Sequence, residues 1–294
     1  MKKIQTSSPY TWIMDDLRKG RFVRTYKRNG LNGYKRYIPL KKVYDLLEKS
    51  SIKHPRVLRN WLTYIDIEFI EGSSIPENFK RSLMLNLFCT TLFDLKTIDC
   101  TDVMKYIPYR DNTGYLNDIV NNLVLVLDRL NNYELLSEVG LRKEMILAMK
   151  SYELDNTRPL SLIHGDFSPN NIIMRGNDYY VIDWELATYG DIAYEIATHM
   201  IFFEYDDEQK AMIFERISQT LNIDLNNLVR DVKVYTKFEY LRRTFLKFNR
   251  AINLAKKGRP FDDILIDGYS YYQQIGGVLA MEDIRNRLRG LYRG

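Results

Sequence analysis

The chain has 294 residues, of which 45% are hydrophobic and 28% are charged. This is an ordinary globular composition, and the length suits two domains or one divided domain with a sizeable core. No apolar run approaches the roughly 20 residues that cross a bilayer, and the polar run from Gln5 to Ser8 excludes a signal peptide. We therefore expect a cytoplasmic protein with no membrane partner.

The basic residues are unevenly distributed. The formal net charge is +5, and lysine and arginine crowd the stretch from Arg18 to Lys42. Such a cluster is typical either of a nucleic-acid-binding patch or of solvated faces from which one or two cations reach a nucleotide's phosphates. No nucleic-acid-binding motif accompanies the charge. The solvated faces are therefore favoured, and a nucleic-acid partner is not expected.

The first seventy residues favour strands around one helix. A hairpin is predicted over 10–28, because two runs rich in aromatic and β-branched residues flank a polar turn. Pro39 opens a predicted helix that ends near Ser50, and two more strands are predicted over 55–61 and 64–70. The N-terminal part of the chain is therefore expected to be rich in β-structure.

After Gly72 the sequence becomes mainly helical. One apolar stripe at spacings of three and four residues consists of Phe238, Leu241, Phe245, Phe248 and Ile252. A stripe of this kind is the core-facing side of a helix and not a binding site. The change near Gly72 predicts an α+β protein with two lobes, a small β-rich lobe over 1–71 and a larger, mainly helical lobe over 72–294.

A second predicted hairpin interrupts the helical half. Its strands are 172–175 and 179–182, separated by a Gly-Asn-Asp turn. Because the strands of a hairpin run antiparallel, Asn171 before the first strand and Asp183 after the second lie at the same open end. Asp166 stands close enough in sequence to reach the same place. The hairpin thus gathers three oxygen-bearing side chains.

This set of side chains suits phosphoryl transfer. An amide oxygen and a carboxylate are ligands that Mg²⁺ accepts, with substrate phosphates completing its shell. Asp166 is then available to orient an attacking hydroxyl and accept its proton. Taken singly, such residues most often cap turns and helices. Together, at this spacing around a hairpin, they favour catalysis and indicate a kinase.

The motifs in this segment resemble those of a known superfamily. They are His164-Gly165-Asp166-Phe167-Ser168-Pro169-Asn170-Asn171, then Ile182-Asp183-Trp184-Glu185, then Tyr189-Gly190-Asp191. In order and spacing they are similar to those of the aminoglycoside phosphotransferase and choline kinase superfamily, which has a protein-kinase-like fold. The motifs span about thirty residues of the chain.

The resemblance implies a role for each motif residue. Asp166 would be the catalytic base, and Asn171 and Asp183 would hold Mg²⁺. Asp191 would be a structural carboxylate, and His164 would brace the catalytic loop by hydrogen bonds. The cosubstrate implied is ATP, or GTP in its place, with a small-molecule hydroxyl as acceptor.

The nucleotide-side residues are less distinctive. The segment 67–72 resembles the hinge between the lobes of a kinase, where main-chain groups of Glu68 and Ile70 would meet adenine. The cation for the phosphates is expected to be Lys27 or Arg24, with Lys27 preferred from its register in the strand pattern. Candidate side chains that contact the nucleotide in the glycine-free loop before Trp12 are Ser7 and Ser8. The helix partner of the cation is either Asp45 or Glu48.

The acceptor is predicted from charge. Carboxylates follow the motifs at Glu204, Asp206 and Glu239, and Glu185 lies within them. Carboxylates at 206–208 also suit a helix N-terminus. An acidic pocket would select a cationic acceptor of the aminoglycoside type, with resistance to such antibiotics as its consequence. Choline in a tyrosine cage, another amino alcohol and a sugar remain alternatives. A non-catalytic nucleotide-binding module is the alternative from another class.

Overall fold

The structure is a computed structural model that describes residues 2–5, 11–16, 20–26, 30–31, 34–75, 81–203 and 205–292. The strands are β1 Lys2–Gln5, β2 Thr11–Asp16, β3 Gly20–Tyr26, β4 Gly30–Leu31, β5 Tyr34–Lys35, β6 Val57–Asn60, β7 Tyr64–Glu68, β8 Ser73–Ser74, β9 Ser161–Ile163, β10 Ile172–Arg175, β11 Asp178–Val181 and β12 Thr188–Gly190. The α-helices are α1 Leu40–Leu47, α2 Arg81–Thr97, α3 Asn112–Leu127, α4 Tyr133–Glu138, α5 Lys143–Leu147, α6 Ile192–Phe203, α7 Asp207–Leu221, α8 Leu225–Lys256, α9 Asp262–Gln274 and α10 Met281–Tyr292.

The N-terminal region is an antiparallel sheet in the order β1-β2-β3-β7-β6. The predicted hairpin, helix and two strands are confirmed as β2–β3, α1, β6 and β7, each shorter than predicted, whereas β1 was not predicted. Alternation along β3 buries Phe22 and Thr25 on opposite faces of the sheet. The helix α1 then covers the sheet with Val43, Leu46 and Leu47, which are all buried.

The connection between the two regions passes close to the predicted second hairpin. After β7 the chain forms β8, which pairs with β10 in a three-stranded sheet with β11. A Cβ atom at Gly72 would lie 2.2 Å from the carbonyl oxygen of Met174, so only glycine allows this approach of two backbones. The crossing segment is thereby packed directly on the hairpin that carries the motifs.

The C-terminal region is mainly helical. The long helix α8 is its centre, and α6 and α9 pack along it. The predicted apolar stripe of α8 is confirmed, because Phe238, Leu241, Phe245 and Phe248 are all at most 1% exposed. The architecture is therefore α+β, with a small antiparallel sheet followed by a helical region, as the sequence predicted.

No α-helix among the described residues is long and apolar enough to span a membrane.

Candidate active site

The motif hairpin is present, but its second strand begins one residue earlier than predicted, because Asp178 belongs to β11 and only Gly176 and Asn177 form the turn. In β10 and β11, Ile172 pairs with Val181 and Arg175 with Asp178. The backbone N–H of Ile182 donates to the carbonyl oxygen of Asn171 over 2.9 Å, which extends the ladder beyond the strands. Asn171 and Asp183 therefore lie at the same end of the hairpin, as antiparallel pairing requires.

Asp166 is joined to Asn171 directly. The side-chain nitrogen of Asn171 donates to the carbonyl oxygen of Asp166 over 2.8 Å and to its Oδ2 over 3.0 Å. Burial raises the pKa of Asp166, while the bond from Asn171 and the charges of Arg243 and Arg242 oppose the rise. A carboxylate made more basic by burial and held in one orientation is suited to accept a proton.

Asp183 sits beside other carboxylates. Burial, followed by the negative charges of Glu185 and Asp166, raises the pKa of Asp183 to about 7, and the charge of Arg36 opposes this. Its backbone is left-handed, with φ 61° and ψ 51°, a conformation uncommon for residues other than glycine. Crowded carboxylates of this kind are stabilised in the ionised form by a nearby cation.

The donor set suits Mg²⁺. Both hydrogen bonds of the Asn171 side chain use its nitrogen, which leaves its amide oxygen available as a metal ligand at the same end of the hairpin as Asp183. Within the described ranges, no group of three or more histidine, cysteine, aspartate or glutamate side chains could hold a metal ion unaided. Magnesium commonly binds through few protein groups together with substrate phosphates, so an amide and a carboxylate are compatible with it.

His164 lies beneath the catalytic loop and is fully buried. Its Nδ1 accepts the backbone N–H of Asp166 over 3.2 Å, so its Nε2 carries the proton and donates to the carbonyl oxygen of Ile182 over 2.9 Å. Burial lowers the pKa of His164 to about 4, which keeps the ring neutral. The ring thus links the catalytic loop to the end of β11, an arrangement that suits the predicted brace.

Two further buried carboxylates lie near the site, and one of them contacts the loop. Glu195 on α6 accepts the backbone N–H of Gly165 at its Oε2 over 2.7 Å. Asp191 is bound at both oxygens by Arg158, at 2.9 and 2.8 Å, and Arg158 also donates to Asp231 over 2.8 Å. Sequence reasoning missed Glu195 and Arg158. Glu195 had a signal, since it stands alone in the apolar run Ile192–Met200, whereas Arg158 had none.

The predicted nucleotide-side residues are only partly visible. Lys27, Ser7 and Ser8 lie outside the described residues. Glu68 ends β7 and Ile70 follows it, as a hinge requires. The expectation for Glu68 needs a correction, because its backbone N–H already donates to the carbonyl oxygen of Arg56 over 2.8 Å. That N–H is therefore not available to adenine.

The alternative cation, Arg24, is used elsewhere. Its Nε and Nη2 donate to the two carboxylate oxygens of Asp66, over 2.7 and 2.9 Å, and it stacks on Tyr64. Of the two proposed helix partners, Asp45 pairs with Lys41, and Glu48 lies near His54. These predicted helix partners therefore do not meet a phosphate-binding cation among the described residues. One cation that the structure does bring to the motifs is Arg36, which sequence reasoning missed.

Three of the four predicted acceptor carboxylates have other partners in the structure. Glu185 accepts hydrogen bonds from Thr11 and from Arg36, so it faces the N-terminal region. Asp206 caps α7, accepting the backbone N–H of Gln209 over 2.8 Å in a capping box. Glu204 lies outside the described residues. The carboxylates at 206–208 therefore serve a helix start, one of the two interpretations that the sequence allowed.

Glu239 is completely buried and does not project into a pocket. Its Oε1 accepts hydrogen bonds from Tyr194 over 2.9 Å and from Arg242 over 2.7 Å, and its Oε2 accepts them from Arg242 and Arg243 over 2.8 and 3.1 Å. One carboxylate thus holds two arginines whose charges act on Asp166. The side of the site that α8 contributes is consequently basic rather than acidic, and neither arginine was foreseen.

A small cavity borders the catalytic loop at Gly165. Its lining includes Tyr37, Asp118 and Asn122 and the α6 residue Tyr194. The hydroxyl of Tyr37 donates to Asp118 over 2.6 Å, and the side chain of Asn122 donates to the same carboxylate over 2.9 Å. The cavity is therefore lined by hydroxyl, amide and carboxylate groups and by the ammonium group of Lys35, next to the residue that precedes Asp166.

The sheet, the helical region and the Asp166–Asn171–Asp183 cluster define a kinase-like fold with a motif-bearing catalytic loop. The chain belongs to the phosphotransferase enzyme family APH, whose model matches residues 7–222.

A methylthioribose kinase of Bacillus mycoides is 25% identical in an alignment 242 positions long that covers 72% of this chain and 59% of the relative. The chain therefore spans about six tenths of the length of the curated relatives it matches. Two solved structures share the fold. The Plasmodium vivax ethanolamine kinase has a TM-score of 0.67 at 14% identity, covering 93% of this chain and 81% of its own. The GDP and kanamycin complex of APH(2")-IIIa has a TM-score of 0.61 at 15% identity, covering 93% and 92%.

Proposed function

We propose that this protein transfers the γ-phosphoryl group of ATP to a hydroxyl group of a small molecule. The observation that carries the proposal is the hydrogen-bonded pair Asp166 and Asn171, held with Asp183 at one end of the hairpin. Asp166 orients the acceptor hydroxyl and takes its proton as the bond to phosphorus forms. Family membership supports the reaction class.

Asn171 and Asp183 are the proposed ligands of Mg²⁺. When bound, the ion would neutralise charge on the β- and γ-phosphates of the nucleotide. Asp183 contributes a carboxylate crowded by the negative charges of Glu185 and Asp166, and Asn171 contributes a neutral oxygen.

The nucleotide is assigned to the cleft between the two lobes. We place the nucleotide-binding lobe at 1–71 and the catalytic and acceptor-binding lobe at 72–294. The carbonyl groups near Glu68 and Ile70 stay the proposed adenine contacts, and Lys27, Ser7 and Ser8 stay the proposed phosphate contacts. ATP is the proposed donor, with GTP as the alternative.

For the acceptor we favour an uncharged, sugar-like molecule. The side chains around Gly165 include hydroxyl, amide and carboxylate groups, which are the kinds of partner that a polyol needs. The carboxylates Glu185 and Glu239 are each bound to arginine, so they do not form an acidic pocket for a polycation. The methylthioribose kinases among the relatives support a sugar acceptor.

A cationic acceptor of the aminoglycoside type is the second candidate, with antibiotic resistance as its biological consequence. Asp118 favours it, because this carboxylate lies at the cavity and could meet an ammonium group. The kanamycin complex of a protein with the same fold is compatible with it. Choline and other amino alcohols would use the same carboxylate together with the tyrosine rings.

A nucleotide-consumption screen tests the proposal. The purified chain is incubated with ATP and Mg²⁺ and with neutral sugars including methylthioribose, amino alcohols or aminoglycosides, and Asp166→Asn serves as the inactive control. We expect a sugar to stimulate consumption in the parent and not in the variant. Stimulation by aminoglycosides alone would replace the sugar by the second candidate. Binding of nucleotide without turnover on any acceptor would instead favour a non-catalytic module.

A further inference from the structure

A buried ion pair joins the two regions at the motif segment. Arg36, between β5 and α1, donates from Nε to the carbonyl oxygen of Glu185 over 3.0 Å, and its Nη2 lies 3.5 Å from Glu185 Oε2. The two side chains are only 8% and 9% exposed. A buried charge pair with both partners present is compensated, whereas removal of either partner leaves an uncompensated charge.

The second oxygen of Glu185 is bound from the N-terminal sheet as well. Thr11, the first residue of β2, donates from Oγ1 to Glu185 Oε1 over 2.9 Å. Thr11 Oγ1 also lies 3.4 Å from the hydroxyl of Thr25 on β3. Both oxygens of one motif carboxylate are thus held by side chains that precede the hinge.

The segment held in this way contains the proposed metal ligand. Glu185 is two residues beyond Asp183, in the short 3-10 turn Trp184–Leu186. Aspartate adopts a left-handed backbone more readily than most residues with a Cβ, and at Asp183 neighbouring contacts keep this conformation in place. Arg36 provides such a contact, because it binds both the main chain and the side chain of Glu185.

We propose that Arg36 is a positioning residue that couples the N-terminal lobe to the metal-ligand geometry of Asp183, with Thr11 as the second point of attachment. The proposal rests on the proposed function. Arg36 acts through Glu185: when the lobes are together, the guanidinium fixes the turn that follows Asp183, and the carboxylate of Asp183 keeps one orientation towards the ion.

The guanidinium is required for this role. It makes two separate contacts, one to a carbonyl oxygen and one to a carboxylate, along a rigid planar group. A lysine ammonium at the same position would be a point charge on a flexible stem and could not reproduce both directions. Arg36→Lys should therefore retain the charge and lose most of the positioning.

The experiment is a binding titration that needs no acceptor. Binding of ATP to the full chain is measured by calorimetry as a function of Mg²⁺ concentration, and again with EDTA. The variants are Arg36→Met, Arg36→Lys and Thr11→Val. Lys53→Met is the matched control, because Lys53 pairs with Asp178 at the turn of the same hairpin, far along the strands from Asp183, and both partners are about half exposed.

We expect Arg36→Met to raise the Mg²⁺ concentration for half-maximal ATP binding by about tenfold, equivalent to about 1.4 kcal/mol. Arg36→Lys should follow it closely, Thr11→Val should show a smaller rise, and Lys53→Met should match the parent. In the double variant Arg36→Met/Glu185→Gln the effects should be less than additive, since both changes break one contact.

Two results would overturn the proposal. One is a Mg²⁺ titration of Arg36→Lys that superimposes on that of the parent. The other is an equal loss of ATP affinity with and without Mg²⁺, which would make Arg36 a direct phosphate ligand. If Arg36→Met does not fold, the Mg²⁺ titrations of Arg36→Lys and Thr11→Val test the proposal in its place. A parent that binds no nucleotide at all would contradict the proposed function itself, which separates the two failures.

Discussion

The residues of the motif hairpin contact one another across short stretches of sequence. The contacts that join this segment to the N-terminal sheet link residues that are far apart in the chain. Asn171 bonds to Asp166 across 5 residues, and His164 to Ile182 across 18. On the nucleotide side, Thr11 and Arg36 reach Glu185 across 174 and 149 residues. The chemistry of the loop is therefore encoded locally, whereas its alignment depends on contacts between distant parts of the chain.

This difference shows where the charges in a sequence predict the charge of a site wrongly. Within the hairpin, residue type and spacing decide which side chains meet, because the register of two short strands leaves few alternatives. Outside the hairpin, Glu239 was counted as a carboxylate without its helical neighbours Arg242 and Arg243, although residues three and four positions apart on a helix lie side by side. Two arginines one turn along α8 neutralise it, and they also reverse the expected sign of charge beside Asp166.

The first prediction tests the hairpin segment, whose contacts are local in the sequence. Asp166→Asn removes the proton acceptor and should lower kcat by roughly two to four orders of magnitude while leaving ATP affinity nearly unchanged, since a base acts mainly in the transition state. Steady-state turnover with a stimulating acceptor and calorimetric ATP binding measure the two effects. A variant that keeps near-parental turnover would remove Asp166 from the mechanism.

The second prediction separates the two proposed metal ligands from the base. Asp183→Asn retains an oxygen but removes the charge, so Mg²⁺-dependent ATP binding should weaken by about ten- to a hundredfold. Binding in EDTA should change much less. Mg²⁺ titrations at fixed ATP provide the measurement. Superimposable curves for variant and parent would mean that Asp183 does not bind the ion.

The sequence predicted the fold class, the hairpin and the placement of Asn171 and Asp183 at its open end, because strand patterning and turn residues are local properties. It placed the second strand one residue too late, since Asp178 belongs to β11. It did not predict Arg36 or Arg158. Both are arginines in loops, and nothing in their neighbourhood distinguishes them from solvated cations. Their partners are set by packing between regions. The assigned roles of the site residues stay predictions until the variants are measured.

The third prediction concerns Glu195, which connects the helical region to the catalytic loop. Burial raises the pKa of Glu195 from 4.5 to about 7. Between these pH values the folded protein binds a proton that the unfolded chain does not. The contribution of Glu195 to stability is therefore fully present below pH 4.5 and is lost as pH rises through 7. Buried His164 and His199 act in the opposite sense, since burial lowers their pKa values to about 4 and about 3.

The pH-dependent contributions of Glu195 and the two histidines to stability partly cancel. The informative quantity is therefore the difference in stability between the parent and Glu195→Gln. Relative to the variant, the parent should lose about 1–3 kcal/mol of unfolding free energy as the pH rises from 5 to 8. Urea denaturation at several pH values measures it. Glu215→Gln, at an exposed position of α7, should give a difference that does not vary with pH. A flat difference for Glu195→Gln would mean that its pKa is not raised in the folded protein.

The smallest expected effect belongs to Asp206, where a helix cap and an acceptor carboxylate make opposite predictions. As a cap, its side chain satisfies the backbone N–H of Gln209, so Asp206→Ala should lower the unfolding free energy by about 1 kcal/mol. Asparagine caps helices nearly as well as aspartate, so Asp206→Asn should lower it less. If Asp206 is instead an acceptor carboxylate, both variants lose the same charge and should raise KM for a cationic acceptor equally. We expect the stability to separate the two variants and KM to stay at the parental value in both. An equal rise in KM for an aminoglycoside in both variants, with no difference in stability, would mean that Asp206 binds the acceptor and that the predicted acidic pocket exists.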